Sequence, residues 1–320
     1  MNNELIVVVR SAGERTKEAC IDIIKQQIPD ENIFVVEEVP FEATLRKCYK
    51  IGIESGKKWM LTIDADVLLH KNAIRDLLER TNEMSDNVIA FEGILYDHLL
   101  LKYKRAGHKL YRCKHLEKAI QCIPENNKEL RPETATLKKM TELGYKYLYI
   151  DYLSGIHDFE QYYADIYRKI FLRTRKSLHL ITNQFDKWKK ISNHDSDFLV
   201  VCKAVIDSFT IDVPANVDYT MYEIYVKNAL NDLNLSEKNS DINIPDYSTY
   251  VDKILVRKKQ LQKKFKNISA LEEEGAGFFR SFTKLGKVKL YNKLCLIKFY
   301  FKYRNEYRLS FIRIIGNNYF

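Results

Sequence analysis

The first ninety-odd residues alternate short apolar runs with helical patterns. Apolar, largely β-branched runs at 5–9, 33–36, 59–63 and 88–91 predict strands, while apolar residues at helical spacing predict helices over 16–26, 43–55 and 72–84. Strands that alternate with helices predict right-handed crossovers and a mostly parallel sheet flanked by helices. The expected fold class is therefore α/β.

Beyond residue 95 the pattern is looser. It predicts a strand over 145–152, a helix from about 158 to 173 and another over 195–208, while Arg131-Pro132-Glu133 indicates a helix start. The stretch 235–248, with interspersed Asn, Ser, Asp and Pro, predicts a linker. We therefore expect one domain over 1–234, with halves at 1–95 and 96–234, followed by a helical basic region over 249–320.

Two acids follow the third predicted strand. Asp64 and Asp66 come directly after the apolar run 59–63, at the sheet edge where α/β proteins bind ligands. Two carboxylates there are costly without a cation, and Mg²⁺ or Mn²⁺ prefers oxygen ligands. One acid can bind the metal directly, while the other binds it through water or holds a ribose hydroxyl. The alternative is that both acids cap a helix that starts near Asn72.

Residues 4–92 resemble the nucleotide-sugar-binding half of the GT-A glycosyltransferases, especially those that build bacterial surface polysaccharides. The resemblance lies in the opening strand with Arg10, in the helix after Gly13-Glu14-Arg15-Thr16, and in the segment from Gly52 to Asp66. It implies a GT-A fold, a nucleoside-diphosphate-sugar donor such as a UDP-sugar, and Mn²⁺ or Mg²⁺.

The resemblance also implies residues that contact the donor. These are Arg10, Asp64, and Glu37 or Glu38 at the end of the second strand, where the family usually has Asp. The Gln-x-x-Arg-Trp motif of processive members is not found, which argues against a cellulose- or hyaluronan-type synthase.

A His-Asp pair follows the predicted strand 145–152. His157 is a candidate third metal ligand, as a late His is in many GT-A enzymes, and Asp158 or Glu160 is a candidate base for an acceptor hydroxyl. The alternative is that Asp158 caps the next helix and His157 lies in a turn.

Net charge is concentrated in the last forty residues. Residues 281–320 carry nine Lys or Arg and one acid, which is +8 of the net +9. A basic helical pattern with many aromatic residues is typical of an anionic membrane surface. The alternatives are a helix that packs on the body and an oligomer contact. Because the first 280 residues are nearly neutral, no nucleic-acid partner is expected.

Cysteine usage and the N-terminal sequence bear on localisation. Six scattered cysteines without a C-x-x-C pair favour a reducing compartment, and neither a signal peptide nor a transmembrane run is recognised. We expect a cytoplasmic protein, peripheral at the inner face of the cell membrane if the basic region binds lipid.

The expected function is sugar transfer to a saccharide or lipid-linked acceptor, in surface polysaccharide or lipopolysaccharide assembly. Three alternatives stay open. A nucleotidyltransferase also uses a strand-end Asp but normally has a Gly-rich phosphate loop, for which Ser11-Ala12-Gly13 is a poor match. A metal phosphohydrolase built on the His-Asp pairs needs an all-helical site, and a nucleic-acid-binding protein needs a basic body.

Overall fold

A computed structural model describes residues 4–129, 131–176, 184–211, 220–242, 248–257, 298–299 and 301–303. The chain divides into two compact units, one formed by Met1–Gln161 with Ser240–Arg257 and the other by Tyr162–Asn239 with Lys258–Phe320. Residues 1–234, expected as one domain, thus contribute to both units. No helix in the described part of the chain is long and apolar enough to cross a membrane.

Unit 1 contains an eight-stranded mixed sheet with helices on both faces. The strands are β1 (Leu5–Arg10), β2 (Ile33–Val36), β3 (Trp59–Asp64), β4 (Val67–Leu69), β5 (Val88–Asp97), β6 (Lys102–Lys104), β7 (His108–Arg112) and β8 (Lys146–His157). Their order is β2-β1-β3-β7-β5-β8-β4, with β6 paired to β5. The helices are α1 (Lys17–Lys25), α2 (Phe41–Glu54), α3 (Ala73–Glu79), α4 (Leu116–Cys122) and α5 (Pro132–Glu142). Residues 248–257 are also helical and belong to this unit.

The expected α/β fold class is confirmed. Strands β1, β2, β3, β5 and β8 run in the same direction, as their parallel and paired antiparallel registers show. The three strands that run the other way, β4, β6 and β7, were not predicted. They are three to five residues long, too short for an alternating pattern to stand out.

Both faces of the sheet are buried, which explains the continuous apolar runs of its central strands. Leu5, Val7 and Val9 of β1 face a cluster with α1 and α3, whereas Ile6 and Val8 face a second cluster with α2, α4 and α5. Residues 248–257 add Val251 and Leu255 to the first cluster.

Four of the five strands that run in the same direction end at a polar residue. Arg10 ends β1, Asp64 ends β3, Asp97 ends β5 and His157 ends β8. Arg10 is paired in register with Asp64, and Asp97 with His157. The carboxyl edge of the sheet therefore gathers charged groups that lie far apart in the sequence.

The described residues of unit 2 form helices α6 (Tyr163–Lys176), α7 (Phe185–Ile191), α8 (Ser196–Thr210) and α9 (Glu223–Asp232). The helix expected from about 158 begins at Tyr163 instead, because β8 continues to His157 and a loop follows. Its first backbone amides, those of Tyr163 and Ala164, donate to the carboxylate of Glu237.

Most of the basic region 281–320 lies outside the described residues. The exceptions are residues 298–299 and 301–303, where Phe299 and Tyr303 are buried against Phe185. Lys302 and Tyr303 contact the carboxylate of Asp186. This short helical piece is therefore part of the unit 2 core.

Candidate metal centre

Asp64 and Asp66 flank a tight connection between β3 and β4. The Ala65 amide donates to the Arg10 carbonyl at 2.9 Å, and the Ala65 carbonyl accepts from Thr16 Oγ1 at 2.8 Å. Because β4 follows at once, the two acids do not cap α3, whose N-cap is Asn72. The capping alternative for this pair is therefore wrong.

The two acids face different partners. Asp64 Oδ1 accepts from Arg10 Nε at 2.7 Å, and Arg10 Nη2 lies 2.7 Å from the same oxygen. Asp66 is more deeply buried and turns Oδ1 toward Nε2 of His157, at 3.6 Å. The structure thus brings His157 to Asp66, while Asp64 belongs to a neighbouring ion pair.

The other nitrogen of His157 lies between two carboxylates. Nδ1 is 2.7 Å from Asp158 Oδ2 and 3.5 Å from Asp97 Oδ2. A carboxylate beside one ring nitrogen of a metal-binding histidine fixes its tautomer and turns the other nitrogen's lone pair toward the metal. With the proton on Nδ1, the lone pair of Nε2 faces Asp66.

Asp97 lies beside the same imidazole, although the sequence pattern did not predict a role for it. Its side chain is fully buried, Oδ1 accepts from the Leu100 amide at 2.7 Å, and Oδ2 lies 2.5 Å from Lys104 Nζ. Burial alone would raise the pKa of Asp97, but Lys104 and His157 outweigh it and lower the pKa. Asp97 is therefore held ionised behind the imidazole.

Asp66, His157 and Asp158 form a cluster in which Asp66 and His157 have the separation of two ligands to one divalent cation. One ligand atom from each can be chosen so that all lie within 4.8 Å of one another. Two ligands each about 2.1 Å from one ion are at most about 4.2 Å apart, so the 3.6 Å between Asp66 and His157 is compatible with a shared ion. Carboxylate oxygens suit Mn²⁺ or Mg²⁺, and imidazole is a common ligand of transition metals.

Charge balance points the same way. This network contains Lys104, the imidazole of His157 and the carboxylates of Asp66, Asp97 and Asp158. Counted over these described side chains alone, and with a neutral imidazole, the net charge is −2, which a divalent cation would balance.

A proton competes with the cation for His157. Burial alone would lower the pKa of His157, but the carboxylates of Asp158 and Asp66 outweigh it and raise the pKa to about 10. A ligating imidazole must be neutral, so metal binding at neutral pH releases this proton.

The loop after β8 is strained. Asp158 and Glu160 both have positive φ, at 58° and 54°, which for non-glycine residues costs on the order of 1 kcal/mol or more each and is concentrated at functional sites. The helix-cap alternative for Asp158 is wrong, because α6 begins five residues later. Phe159 between them packs against the rings of His98 and Tyr250.

Arg15 fixes the end of this loop. Its Nη1 lies 2.7 Å from Glu160 Oε2 and donates to the Glu160 carbonyl at 3.1 Å, while Nη2 donates to the Asp241 carbonyl at 3.0 Å. About a third of the Glu160 side chain is still exposed, against a twelfth of Asp158. The two candidate bases therefore differ in their access to solvent.

Glu37 and Glu38 lie apart from these groups. Both are exposed after β2, and Glu37 Oε1 accepts from Lys17 Nζ at 2.8 Å. Lys17 lowers the pKa of Glu37 through this hydrogen bond. Neither glutamate is part of the Arg10–Asp64 ion pair or of the charged groups around His157.

Comparisons with known proteins give only distant likenesses. No protein-family model and no curated protein matches the chain. One similar solved structure is a mannosyltransferase from Pyrobaculum calidifontis with GDP-mannose and Mn²⁺, at 11% identity and TM-score 0.38, covering 84% of each chain.

Two shorter matches accompany it. One is a glycosyltransferase involved in glycosylation of the major capsid of PBCV-1, at 14% identity and TM-score 0.34, covering 46% of this chain and 82% of that one. The other is a CMP:2-keto-3-deoxy-manno-octonic acid synthetase with CTP, at 8% identity and TM-score 0.33, covering 48% and 92%. At these TM-scores the likenesses carry no argument about function, which we derive from this chain's own residues.

Proposed function

We propose that the chain is a metal-dependent glycosyltransferase that moves a sugar from a nucleoside-diphosphate sugar to a saccharide or lipid-linked acceptor. The observation that carries the proposal is the pair formed by Asp66 and His157. It lies at the carboxyl edge of the sheet, with a separation that suits two ligands of one divalent cation. This edge is where α/β sheets bind nucleotides.

Asp66 and His157 would hold Mn²⁺ or Mg²⁺, with Asp158 as a third ligand or as the partner of Nδ1. When bound, the metal supplies positive charge against the leaving diphosphate. The chain's own contribution is orientation, because Asp97 and Asp158 fix the imidazole from behind.

Asp64 and Arg10 would contact the donor beside the metal. Nε and Nη2 of Arg10 both contact Oδ1 of Asp64, so neither contact uses Oδ2, and about a third of the Asp64 side chain is exposed. This half-buried carboxylate can accept from a ribose hydroxyl. Glu37 or Glu38, exposed at the end of β2, would contribute outer contacts to the ribose or base of a UDP-sugar.

Glu160 is the better placed of the two candidate bases. Its carboxylate is one-third exposed and held by Arg15, whereas that of Asp158 is buried against the imidazole. A general base must reach the acceptor hydroxyl within about 3 Å. The more exposed Glu160 would therefore be the carboxylate that makes this contact.

The expected acceptor bears on where the enzyme would act. A lipid-linked acceptor would suit a cytoplasmic enzyme at the inner face of the membrane in surface polysaccharide assembly. Anchoring would come from the nine basic residues of 281–320, of which seven lie outside the described residues.

Calorimetry with nucleoside diphosphates tests the function. We expect binding of one diphosphate, UDP first among them, to require Mn²⁺ or Mg²⁺, and we expect slow metal-dependent hydrolysis of the matching nucleotide sugar. The variant Asp66→Asn should lose both, whereas Asp30→Asn, an exposed acid paired only loosely with Lys25 at 3.4 Å, should keep both.

Two results would contradict the proposal. If the Asp66→Asn variant bound the nucleoside diphosphate with wild-type affinity in the presence of metal, Asp66 would not be a metal ligand. Pyrophosphate release from a nucleoside triphosphate and a sugar, without nucleotide-sugar hydrolysis, would instead indicate a nucleotidyltransferase.

A further inference from the structure

Glu133 lies outside the strand ends, yet its carboxylate is the centre of a buried ion network. It is the second residue of α5, after Pro132. Its Oε1 accepts from Arg10 Nη1 and from the Tyr111 hydroxyl, both at 2.8 Å, and its Oε2 accepts from Lys109 Nζ at 2.7 Å. The first turn of α5 is thereby tied to β1 and β7.

Arg10 is held from two sides. Glu133 takes Nη1, while Nε and Nη2 meet Oδ1 of Asp64 at 2.7 Å. The guanidinium is a rigid planar fork, so a carboxylate on Nη1 restricts the plane in which the other two nitrogens point. The ring of Phe41 lies 5.3 Å from the guanidinium carbon and bounds the same group. The direction in which Arg10 meets Asp64 thus depends on Glu133.

The charge of Glu133 is stable. Burial alone would raise the pKa of Glu133, but the positive charges of Arg10 and Lys109 outweigh it and lower the pKa to about 2. The carboxylate is therefore ionised throughout the neutral range. The network as a whole joins two cations, Arg10 and Lys109, to Asp64, Glu92 and Glu133.

We propose that Glu133 is a positioning residue of the donor site, which sets the orientation of Arg10 and, through it, the orientation of Asp64 toward a bound nucleoside diphosphate. The inference rests on the proposed function. A residue that only stabilised the fold would change the melting temperature but not the geometry of Arg10.

Three variants separate the two roles. Glu133→Gln keeps the shape but removes the charge and turns an amide donor toward Arg10 or Lys109. Tyr111→Phe removes one hydrogen bond to Oε1 without a change of charge, and serves if Glu133→Gln does not fold. Lys109→Met is the matched control, because it opens the same buried network at Oε2 and leaves the contacts of Arg10 in place.

The first readout is the Arg10 Nε–H signal in a ¹H–¹⁵N spectrum, assigned by its loss in Arg10→Lys. We expect Glu133→Gln to shift and broaden it, Tyr111→Phe to shift it less, and Lys109→Met to leave it in place although the protein melts earlier. An unchanged signal in folded Glu133→Gln, or in Tyr111→Phe if only that variant folds, would overturn the inference whether or not the protein binds nucleotide.

The second readout is the affinity for UDP with Mn²⁺. We expect at least a tenfold loss in Glu133→Gln and less than a twofold further loss when that change is added to Asp64→Asn, since both act through one contact. If the loss of UDP affinity in the double variant equalled the product of the two single losses, Glu133 and Asp64 would act independently and the inference would be overturned. If the wild-type protein binds no nucleoside diphosphate, the proposed function fails, and the spectrum still decides whether Glu133 orients Arg10.

Discussion

The Nε2 atom of His157 lies 3.6 Å from Oδ1 of Asp66. The pairing of β8 with β4 brings these two residues together. In that pairing Val67 is in register with His157, and the Asp158 amide donates to the Asp66 carbonyl at 3.1 Å. Backbone hydrogen bonds therefore fix the separation of the two side chains before any ion is bound.

Removing either side of this pair should weaken metal binding. Asp66→Asn and His157→Ala should each reduce the affinity for Mn²⁺ by at least about tenfold, since even partners outside the ligand shell contribute that much. Asp64→Asn should have a smaller effect, because Asp64 pairs with Arg10. Electron paramagnetic resonance of free Mn²⁺ measures the affinities, and an unchanged value in Asp66→Asn would exclude the site.

Asp97→Asn should lower the affinity for Mn²⁺ by about 10–100-fold without removing a ligand. The reason is that Asp97 lies behind Nδ1 of His157 and carries the charge that Lys104 holds in place. Asp207→Asn is a fitting control, since Asp207 is a buried acid in unit 2 that pairs with Lys203 at 3.0 Å. If both variants kept the wild-type Mn²⁺ affinity, Asp97 would have no part in the site.

His108 should make stability depend on pH. Its Nε2 accepts from the Gly93 amide at 3.3 Å, a role that only the neutral ring can fill. Burial lowers the pKa of His108 to about 4. Because the unfolded residue titrates near 6.5, the unfolded state binds more protons between these values, and stability falls as pH drops from about 6.5 toward 4, by up to about 3 kcal/mol.

Urea unfolding at a series of pH values checks this, with His108→Gln as the comparison. The difference in unfolding free energy between the two proteins should shrink as pH falls through this range. A constant difference would mean that His108 titrates normally in the folded protein.

Phe299→Ala should destabilise unit 2 by about 3–5 kcal/mol, the usual cost of truncating a buried phenylalanine. Phe299 is 3% exposed and packs against Phe185 and Phe209. Phe301, two residues on and 57% exposed, provides the control, and Phe301→Ala should change stability by no more than about 0.5 kcal/mol. Equal effects in urea unfolding would show that this helical piece does not pack as described.

Membrane binding by residues 281–320 stays a prediction and needs a test that preserves the packing of Phe299. Replacing Lys284, Lys287, Lys289 and Lys293 by Gln removes charge without deleting chain. Each replacement should weaken the free energy of binding to anionic vesicles by about 1 kcal/mol. Added salt should weaken the binding of the wild-type protein, since charges are screened over roughly 8 Å at physiological ionic strength. If the wild-type protein did not bind anionic vesicles at low salt, membrane binding by residues 281–320 would be ruled out.

The sequence revealed those strand ends that follow a clear strand pattern. The run before Arg10 is wholly apolar, and the run before Asp64 contains one polar residue, the β-branched Thr62, so both Arg10 and Asp64 were located at the sheet edge. Strand β5 was predicted to stop at residue 91 because Glu92 and Gly93 interrupt its apolar run, and it continues to Asp97. Asp97 was missed for that reason.

Glu133 was missed for a different reason. An acid in the first turn of a helix is already explained by the helix dipole, so the motif Arg131-Pro132-Glu133 predicted the helix start correctly and nothing more. Its partners Arg10, Lys109 and Tyr111 lie 22 to 123 residues away along the chain. Only the tertiary structure brings them together.

Arg15 has a consequence for how the chain can vary. One guanidinium joins the carbonyl of Glu160, next to the point where the chain leaves unit 1, to the carbonyl of Asp241, next to the point where it returns. In the chain topology, residues 162–239 are an insertion, and the residues that flank its two ends both accept hydrogen bonds from Arg15. Protein chains tolerate inserted segments best where both ends meet. Evolution can therefore lengthen or shorten this stretch without changing the strand order of the sheet that carries Asp66 and His157, as long as Phe185 still packs on Phe299.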